Sequence, residues 1–238
     1  MTMQGDTINA FFFDLDDTLF DATGLARKAR RAAIESMIEN GLTGVTADEG
    51  FTILQEIVKE FGSNYDNHFN MFLKRLDQLS TKLVTVAVIT YHKIKLEELK
   101  LYPDVFGFLQ NLRDNISCTL GIITDGLPIK QYEKILRLGL DPFFPHVFIS
   151  DEIGIRKPNP KIYSYALEKT GAVAGQSLVI GDRLDYDIVP AKKAGMKTCL
   201  IHRNGKHDKL FDEEERNQID YEVWDLGDLW DQIKDITY

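Results

Sequence analysis

Five short apolar runs recur along the chain, at 8–13, 117–124, 146–150, 177–180 and 197–202. Unbroken runs of this length, rich in β-branched and aromatic residues, read as strands buried on both faces. The segments between them carry apolar residues at helical spacing. Val105, Phe108, Leu109 and Leu112 form one stripe behind Pro103. A helix over 128–138 closes at Gly139, one over 160–170 opens on Pro160, and one over 188–194 closes at Gly195. A charged loop is expected over 203–219, an edge strand over 221–224 and a last helix over 226–236.

Strands alternating with helices imply right-handed βαβ units. The expected fold is therefore α/β, a three-layer, Rossmann-like, doubly wound parallel sheet. Between the first and second strands the pattern is helical throughout. Leu25, Ala29, Ala32, Ala33 and Met37 mark a helix that Gly41 stops. Further stripes run over 47–61, 66–79 and 81–99, although 84–90 is rich in β-branched residues. Residues 22–99 thus predict an inserted bundle of four helices, with 1–21 and 100–238 forming the sheet domain. Arg27, Lys28, Arg30 and Arg31 give the first of these helices a basic face, and His68 and His92 stand alone as structural or surface residues.

The 238 residues suffice for one sizeable domain with an insertion. No apolar run is long enough to span a bilayer, and residues 1–7 lack the features of a signal peptide, so a cytoplasmic protein is expected. Cys118 and Cys199 lie in strand-like runs and read as core residues, not as a disulfide. The net charge of -9 argues against nucleic acid or an anionic membrane as partner. It leaves room for an anionic substrate, because a metal and a lysine make a site locally positive.

The candidate chemistry sits at the strand ends. Asp14, Asp16 and Asp17 crowd the end of the first run. Thr124, with Asp125 and Gly126, ends the second; Lys157 follows the third; Gly181 and Asp182, with Asp185 and Asp187 behind, end the fourth. In a parallel sheet these loops open on one edge, so the groups can converge. Asp14 and Asp182 are hard oxygen donors suited to Mg²⁺. A carboxylate can also attack phosphorus, and Asp16 can move a proton to a leaving alkoxide and from water. The Thr124 hydroxyl, the N–H groups of Asp125 and Gly126 ahead of a helix, and the Lys157 cation can hold phosphoryl oxygens. Each group alone has a bland reading, and Asp185 and Asp187 in particular suit a helix first turn. The ordered set is the specific signal.

This set resembles the haloacid dehalogenase-like hydrolase superfamily. Its first motif, Asp-x-Asp-x-Thr, is matched by Asp14, Asp16 and Thr18; its second by Thr124; its third by Lys157; its fourth by Gly181, Asp182 and Asp187. The local sequences look similar to a subgroup of archaeal proteins named as 2-haloacid dehalogenases and of animal acylneuraminate-9-phosphatases. The resemblance implies that 22–99 is an α-helical cap. It implies Asp14 as nucleophile and metal ligand, and Asp16 as general acid/base with its backbone carbonyl on the metal. Asp182 would be the third protein ligand and Asp187 a support for the metal's water shell. Thr124 and Lys157 would bind the phosphoryl group, Thr18 would brace the first loop, and Arg183 would approach the substrate or cover the metal. Two further reactions belong to the resemblance, 2-haloacid dehalogenation and phosphoglucomutase-like transfer. Halide needs no proton to leave and an alkoxide does, so Asp16 favours a Mg²⁺-dependent phosphatase acting on a small phosphate monoester. The expected partner is that small molecule alone, with the chain a monomer or weak dimer.

Overall fold

The structure, a computed structural model, describes residues 7–115, 117–203, 205 and 211–236. The chain divides into two compact units, 1–21 with 100–238, and 22–99.

In the first unit, strand β1 spans Ala10–Phe13. The second unit then supplies α1 (Ala22–Glu39), α2 (Ala47–Phe61), α3 (His68–Arg75) and α4 (Thr81–Glu97). The first unit resumes with α5 (Val105–Asn115), β2 (Thr119–Thr124), α6 (Pro128–Arg137) and β3 (His146–Ile149). After α7 (Ser150–Ile153) and α8 (Lys161–Thr170) comes β4 (Ser177–Gly181). It continues through α9 (Val189–Lys193), β5 (Lys197–Ile201), α10 (Glu213–Arg216), β6 (Tyr221–Val223) and α11 (Leu226–Ile233).

The six strands form one parallel sheet in the order β3-β2-β1-β4-β5-β6, with helices on both faces. This is the expected Rossmann-like α/β architecture. The order reverses direction around β1, whose Phe13 is level with Ile122 on β2 and Ile180 on β4. Loops leaving such a switch point diverge and leave a crevice at the carboxyl edge. The alternation of β1 fixes both faces. Phe12 joins Ile123, Val179, Tyr163 of α8 and Ala191 of α9 on one side. Phe13 meets Phe108 of α5 and Phe144 edge-on on the other, at ring distances of 6.1 and 5.4 Å. All four β1 side chains are buried, which is why the strand reads as wholly apolar.

The second unit has its own core, built from Ile34, Met37, Leu54, Ile57, Phe72, Leu73, Leu83 and Ala87. Thr46 and Glu49 close a capping box at the start of α2. A Cβ on Gly50 would stand 2.9 Å from Ile34 Cγ2, so the glycine lets α2 approach α1 closely. Two expectations shift here. The helix expected over 66–79 stops at Arg75, because Asp77 takes φ 53° and Gln78 N–H reaches back to the Leu73 carbonyl, a left-handed closure the apolar stripe cannot reveal. The β-branched 84–90 stretch is nevertheless helical. Ser80 caps α4, Leu83 and Ala87 seat it in the core, and packing overrides propensity. The basic face of α1 is partly neutralised within the unit, Lys28 pairing with Glu98 and Arg31 with Glu35 and Asp48.

Two short elements have no periodic signal. Ser150, expected at the end of a strand, opens α7, and α10 lies in the stretch read as a loop, where Asp212 and Glu215 form a capping box. Part of that loop lies outside the described residues. Among the described residues no helix is long and apolar enough to cross a membrane, and both cysteines are free, Cys118 only half-buried.

Phe12→Ala removes a fully buried ring from the middle of the sheet. It is expected to cost about 3–5 kcal/mol, read as a lower midpoint in urea unfolding at unchanged slope.

Candidate active site

The carboxyl edge around β1 gathers four of the expected groups. Asp14 follows the last residue of β1, and its N–H bonds the Ile180 carbonyl on β4. Asp182 follows β4. Ligand oxygens of Asp14, Asp182 and Asp187 lie within 4.8 Å of one another. The Lys157 ammonium is wedged between two of these acids, 2.6 Å from Asp14 Oδ1 and 2.7 Å from Asp187 Oδ1. Thr18, with no exposed surface, donates toward Asp14 Oδ2 at 3.2 Å and Asp182 Oδ1 at 3.4 Å. The first loop is thus braced by the hydroxyl that closes the Asp-x-Asp-x-Thr pattern. Asp17, in that loop, takes the left-handed conformation with φ 62°, which a short polar residue tolerates.

Asp187 reaches the cluster through an unusual turn. Residues Leu184–Ile188 form a single π-helical turn ahead of α9, a widening that often marks functional positions. It presses the Asp187 carboxylate onto Gly181, where an added Cβ would lie 2.5 Å from Asp187 Cγ. Glycine is required there because no side chain fits. Asp187 also accepts the Arg183 N–H at 3.1 Å, and the Tyr163 hydroxyl, bonded to the Tyr186 carbonyl, lies 3.5 Å from it. The bland reading of Asp187 as a first-turn helix acid therefore fails: it is buried and bonded inward. Asp185 fits that reading, being exposed and paired with Arg183.

Burial sets the electrostatics. It pushes the Asp14 carboxyl up to about 7, with Lys157 opposing and Asp187 adding to the rise. Burial, then Asp14 and Asp187, push Asp182 up to about 9. Burial alone would lower Lys157, but Asp14 and Asp187 together hold it well above the usual lysine range. One ammonium thus faces three carboxylates, and a divalent cation fits the remaining deficit with hard oxygen donors.

Thr124 ends β2, and Asp125 Oδ1 accepts the Lys157 N–H at 3.1 Å, tying the second and third motifs together. Two expectations differ from the structure. The Gly126 N–H, expected to face a phosphoryl oxygen, donates to Ser150 Oγ at 3.1 Å. The Arg183 guanidinium, expected at the substrate or over the metal, pairs with Asp185 and stacks 3.6 Å over the Tyr186 ring. The nearest acid and ring belong to its own turn and capture it. The Asp16 carboxylate stands outside the three-acid cluster and is held by Lys134, 2.7 Å from each oxygen.

Four residues here carry no motif. Ser150 and Lys134 are two. Gln131 bonds Thr124 Oγ1 at 2.6 Å, and Arg203 bonds the Thr18 carbonyl at 3.1 Å while pairing with Asp104. Gln131 and Lys134 lie three apart on the helix that leaves the Thr124 loop, a spacing that places them on one face without marking either as inward. Arg203 sits in a charged stretch without pattern.

The site is thus a parallel α/β sheet with acids, threonine and lysine on one carboxyl edge. The family model described as haloacid dehalogenase-like hydrolase matches residues 8–195. Over 232 residues, 97% of this chain and 99% of the relative, the sequence is 43% identical to a glyceraldehyde 3-phosphate phosphatase of Methanopyrus kandleri. It is 50% identical to the enzyme of that name from Pyrococcus abyssi over 192 residues, 80% of each chain. Among solved structures, the HAD-hydrolase YfnB of Bacillus subtilis bound to magnesium superposes with a TM-score of 0.67 at 25% identity, over 96% of this chain and 99% of that one. The chain belongs to the haloacid dehalogenase-like hydrolases, and is an enzyme of their phosphatase branch.

Gly181→Ala is expected to displace Asp187, break its bond to Lys157 and abolish turnover while leaving a folded protein by circular dichroism. The pH dependence has a definite sign. Asp14 and Asp182 bind protons more tightly folded than unfolded, so their contribution to stability is present below about pH 4 and is lost as pH rises through about 7 to about 9. In EDTA the melting temperature should therefore fall between about pH 6 and about pH 9, and Asp182→Asn should flatten that fall.

Proposed function

We propose that the chain is a Mg²⁺-dependent phosphatase of small phosphate monoesters, working through an aspartyl-phosphate on Asp14. The observation that carries this reading is the pairing of two aspartates with separate surroundings. Asp14 is mostly buried against Lys157, while Asp16, two residues on, stands outside the acid cluster. An alkoxide leaving group needs a second carboxyl of this kind, and a halide does not.

In the first step Asp14 attacks phosphorus, a P–O bond to the carboxylate forms, and the bond to the ester oxygen breaks. Asp16 gives that oxygen its proton, releasing a neutral alcohol. In the second step Asp16 takes a proton from water, whose oxygen attacks the aspartyl-phosphate. Phosphate leaves and Asp14 is regenerated. Lys157 orients Asp14 and, with the Thr124 hydroxyl, stabilises the equatorial phosphoryl oxygens. Asp14, Asp182 and the Asp16 carbonyl would hold Mg²⁺, with Asp187 supporting its waters; the ion would neutralise phosphoryl charge. The close carboxylate triad and the upward pull on Asp182 support that assignment.

For the substrate we favour a phosphorylated three-carbon aldehyde such as glyceraldehyde 3-phosphate, on the strength of relatives that share nearly the whole chain. Residues 1–21 and 100–238 carry the chemistry, and 22–99 serve as the inserted helical cap.

Asp14→Asn should lower kcat at least about 10³-fold, and Asp16→Asn about 10²- to 10⁴-fold on alkyl phosphates. Activity should vanish in EDTA and return with Mg²⁺. A panel of sugar, polyol and nucleotide monophosphates ranks substrates. Chloride release from 2-chloropropionate without any phosphate ester hydrolysis would refute the reaction class.

A further inference from the structure

Helix α6 contributes no motif residue, yet two of its side chains bind two of the motif positions, Asp16 and Thr124, and the carbonyl of Asp125. Lys134 donates to Asp16 Oδ1 and Oδ2, each at 2.7 Å, and to Gln131 Oε1 at 2.6 Å. An ammonium has three N–H groups, and all three find acceptors inside the network. The Phe20 ring, itself buried, lies 5.8 Å from the ammonium. Gln131 is 2% exposed. Its amide nitrogen donates to Thr124 Oγ1 at 2.6 Å and to the Asp125 carbonyl at 2.9 Å. The saturated donors and the buried Gln131 that joins the network distinguish this from an isolated surface ion pair, which orders little and is screened by solvent, although Lys134 and Asp16 keep 19% and 35% of their side-chain surface exposed.

The geometry points to Gln131 and Lys134 as positioning residues with different main targets: Lys134 fixes the carboxyl of Asp16 on the leaving-group side, where Gln131 Nε2 adds only a longer contact of 3.4 Å to Asp16 Oδ2, and Gln131 aims the Thr124 hydroxyl at the phosphoryl group. The second part follows from donor counting. Because Thr124 Oγ1 accepts from Gln131, its own hydrogen is directed away from Gln131 and is available to a phosphoryl oxygen. The first part follows from the two-pronged grip. An aspartate has two side-chain torsions, and one cation on both oxygens removes both freedoms. A carboxyl that must meet the ester oxygen gains from being held in advance.

This inference rests on the phosphatase reading, and the leaving group separates the two. An alkyl phosphate needs a proton delivered to its departing oxygen. p-Nitrophenyl phosphate releases a stabilised phenolate that needs little help. Since kcat/KM reports events through departure of the first product, it isolates that step. In Lys134→Met, kcat/KM for glycerol 1-phosphate should fall at least about tenfold, with less than about threefold loss on p-nitrophenyl phosphate. Lys134→Arg should restore most of the difference. In an Asp16→Asn background, adding Lys134→Met should cost nothing further. Gln131→Met should instead raise KM for both esters alike and weaken inhibition by inorganic phosphate, since the phosphoryl group is common to all three.

Equal losses on both esters, no loss on either, or full additivity with Asp16→Asn would overturn the assignment of Lys134. An unchanged phosphate inhibition constant in Gln131→Met would overturn that of Gln131. Should Lys134→Met melt below assay temperature, Lys134→Gln carries the same comparison. A wild-type chain inactive on both esters with Mg²⁺ would sink the phosphatase reading and this inference together, whereas an active wild type with symmetric losses sinks this one alone.

Discussion

The buried Lys157 ammonium is the interaction on which the site depends. Without it, Asp14 and Asp187 would face each other and Asp182 with no positive charge to offset them. Carboxylates in such surroundings hold their protons, and Asp14 already sits at about 7 with the lysine present. Everything nearby keeps that ammonium in place. The Asp125 carboxylate grips its backbone, the π-helical turn delivers Asp187, and Gly181 leaves the room that Asp187 occupies. The arrangement is expensive for the isolated protein and suited to a site that receives a cation and an anion together.

The sheet explains how groups 168 positions apart, from Asp14 to Asp182, come to share a few ångströms. β1 lies between β2 and β4 at the point where strand order reverses, and hydrogen bonds on both sides fix its register. Asp14 therefore follows directly on a strand that is paired on both sides. Its partners arrive from the neighbouring strand or from loops tied to it.

Much of this was legible in the sequence, for identifiable reasons. A strand buried on both faces has to be apolar throughout, so β1, β2 and β4 announced themselves, and their acids and threonine stood out against that background. Helix stripes located the inserted bundle even through the β-branched 84–90 stretch. What stayed hidden lacks periodicity. The π turn before α9, the left-handed closure at Asp77 and the single turn of α7 are local conformations set by tertiary contacts. The grip of Lys134 on Asp16 is a side-chain choice between exposed and inward rotamers, and a lysine on an amphipathic helix reads as solvated. Arg183 erred the other way: a cation beside the metal motif reads as substrate-facing, and its own turn claimed it.

One hydrogen bond has a wider consequence. The N–H of Tyr102 bonds the carbonyl of Leu19 at 3.0 Å, so the chain comes back to the sheet unit beside the place where it departs. An excursion anchored in this way asks little of the strands on either side, because closing a longer or shorter loop changes the entropy only logarithmically. The seventy-eight residues of the detour, 22–99, form a compact unit with a core of their own. One stretch of a single polypeptide can thus change its length at little cost to the strands that precede and follow it.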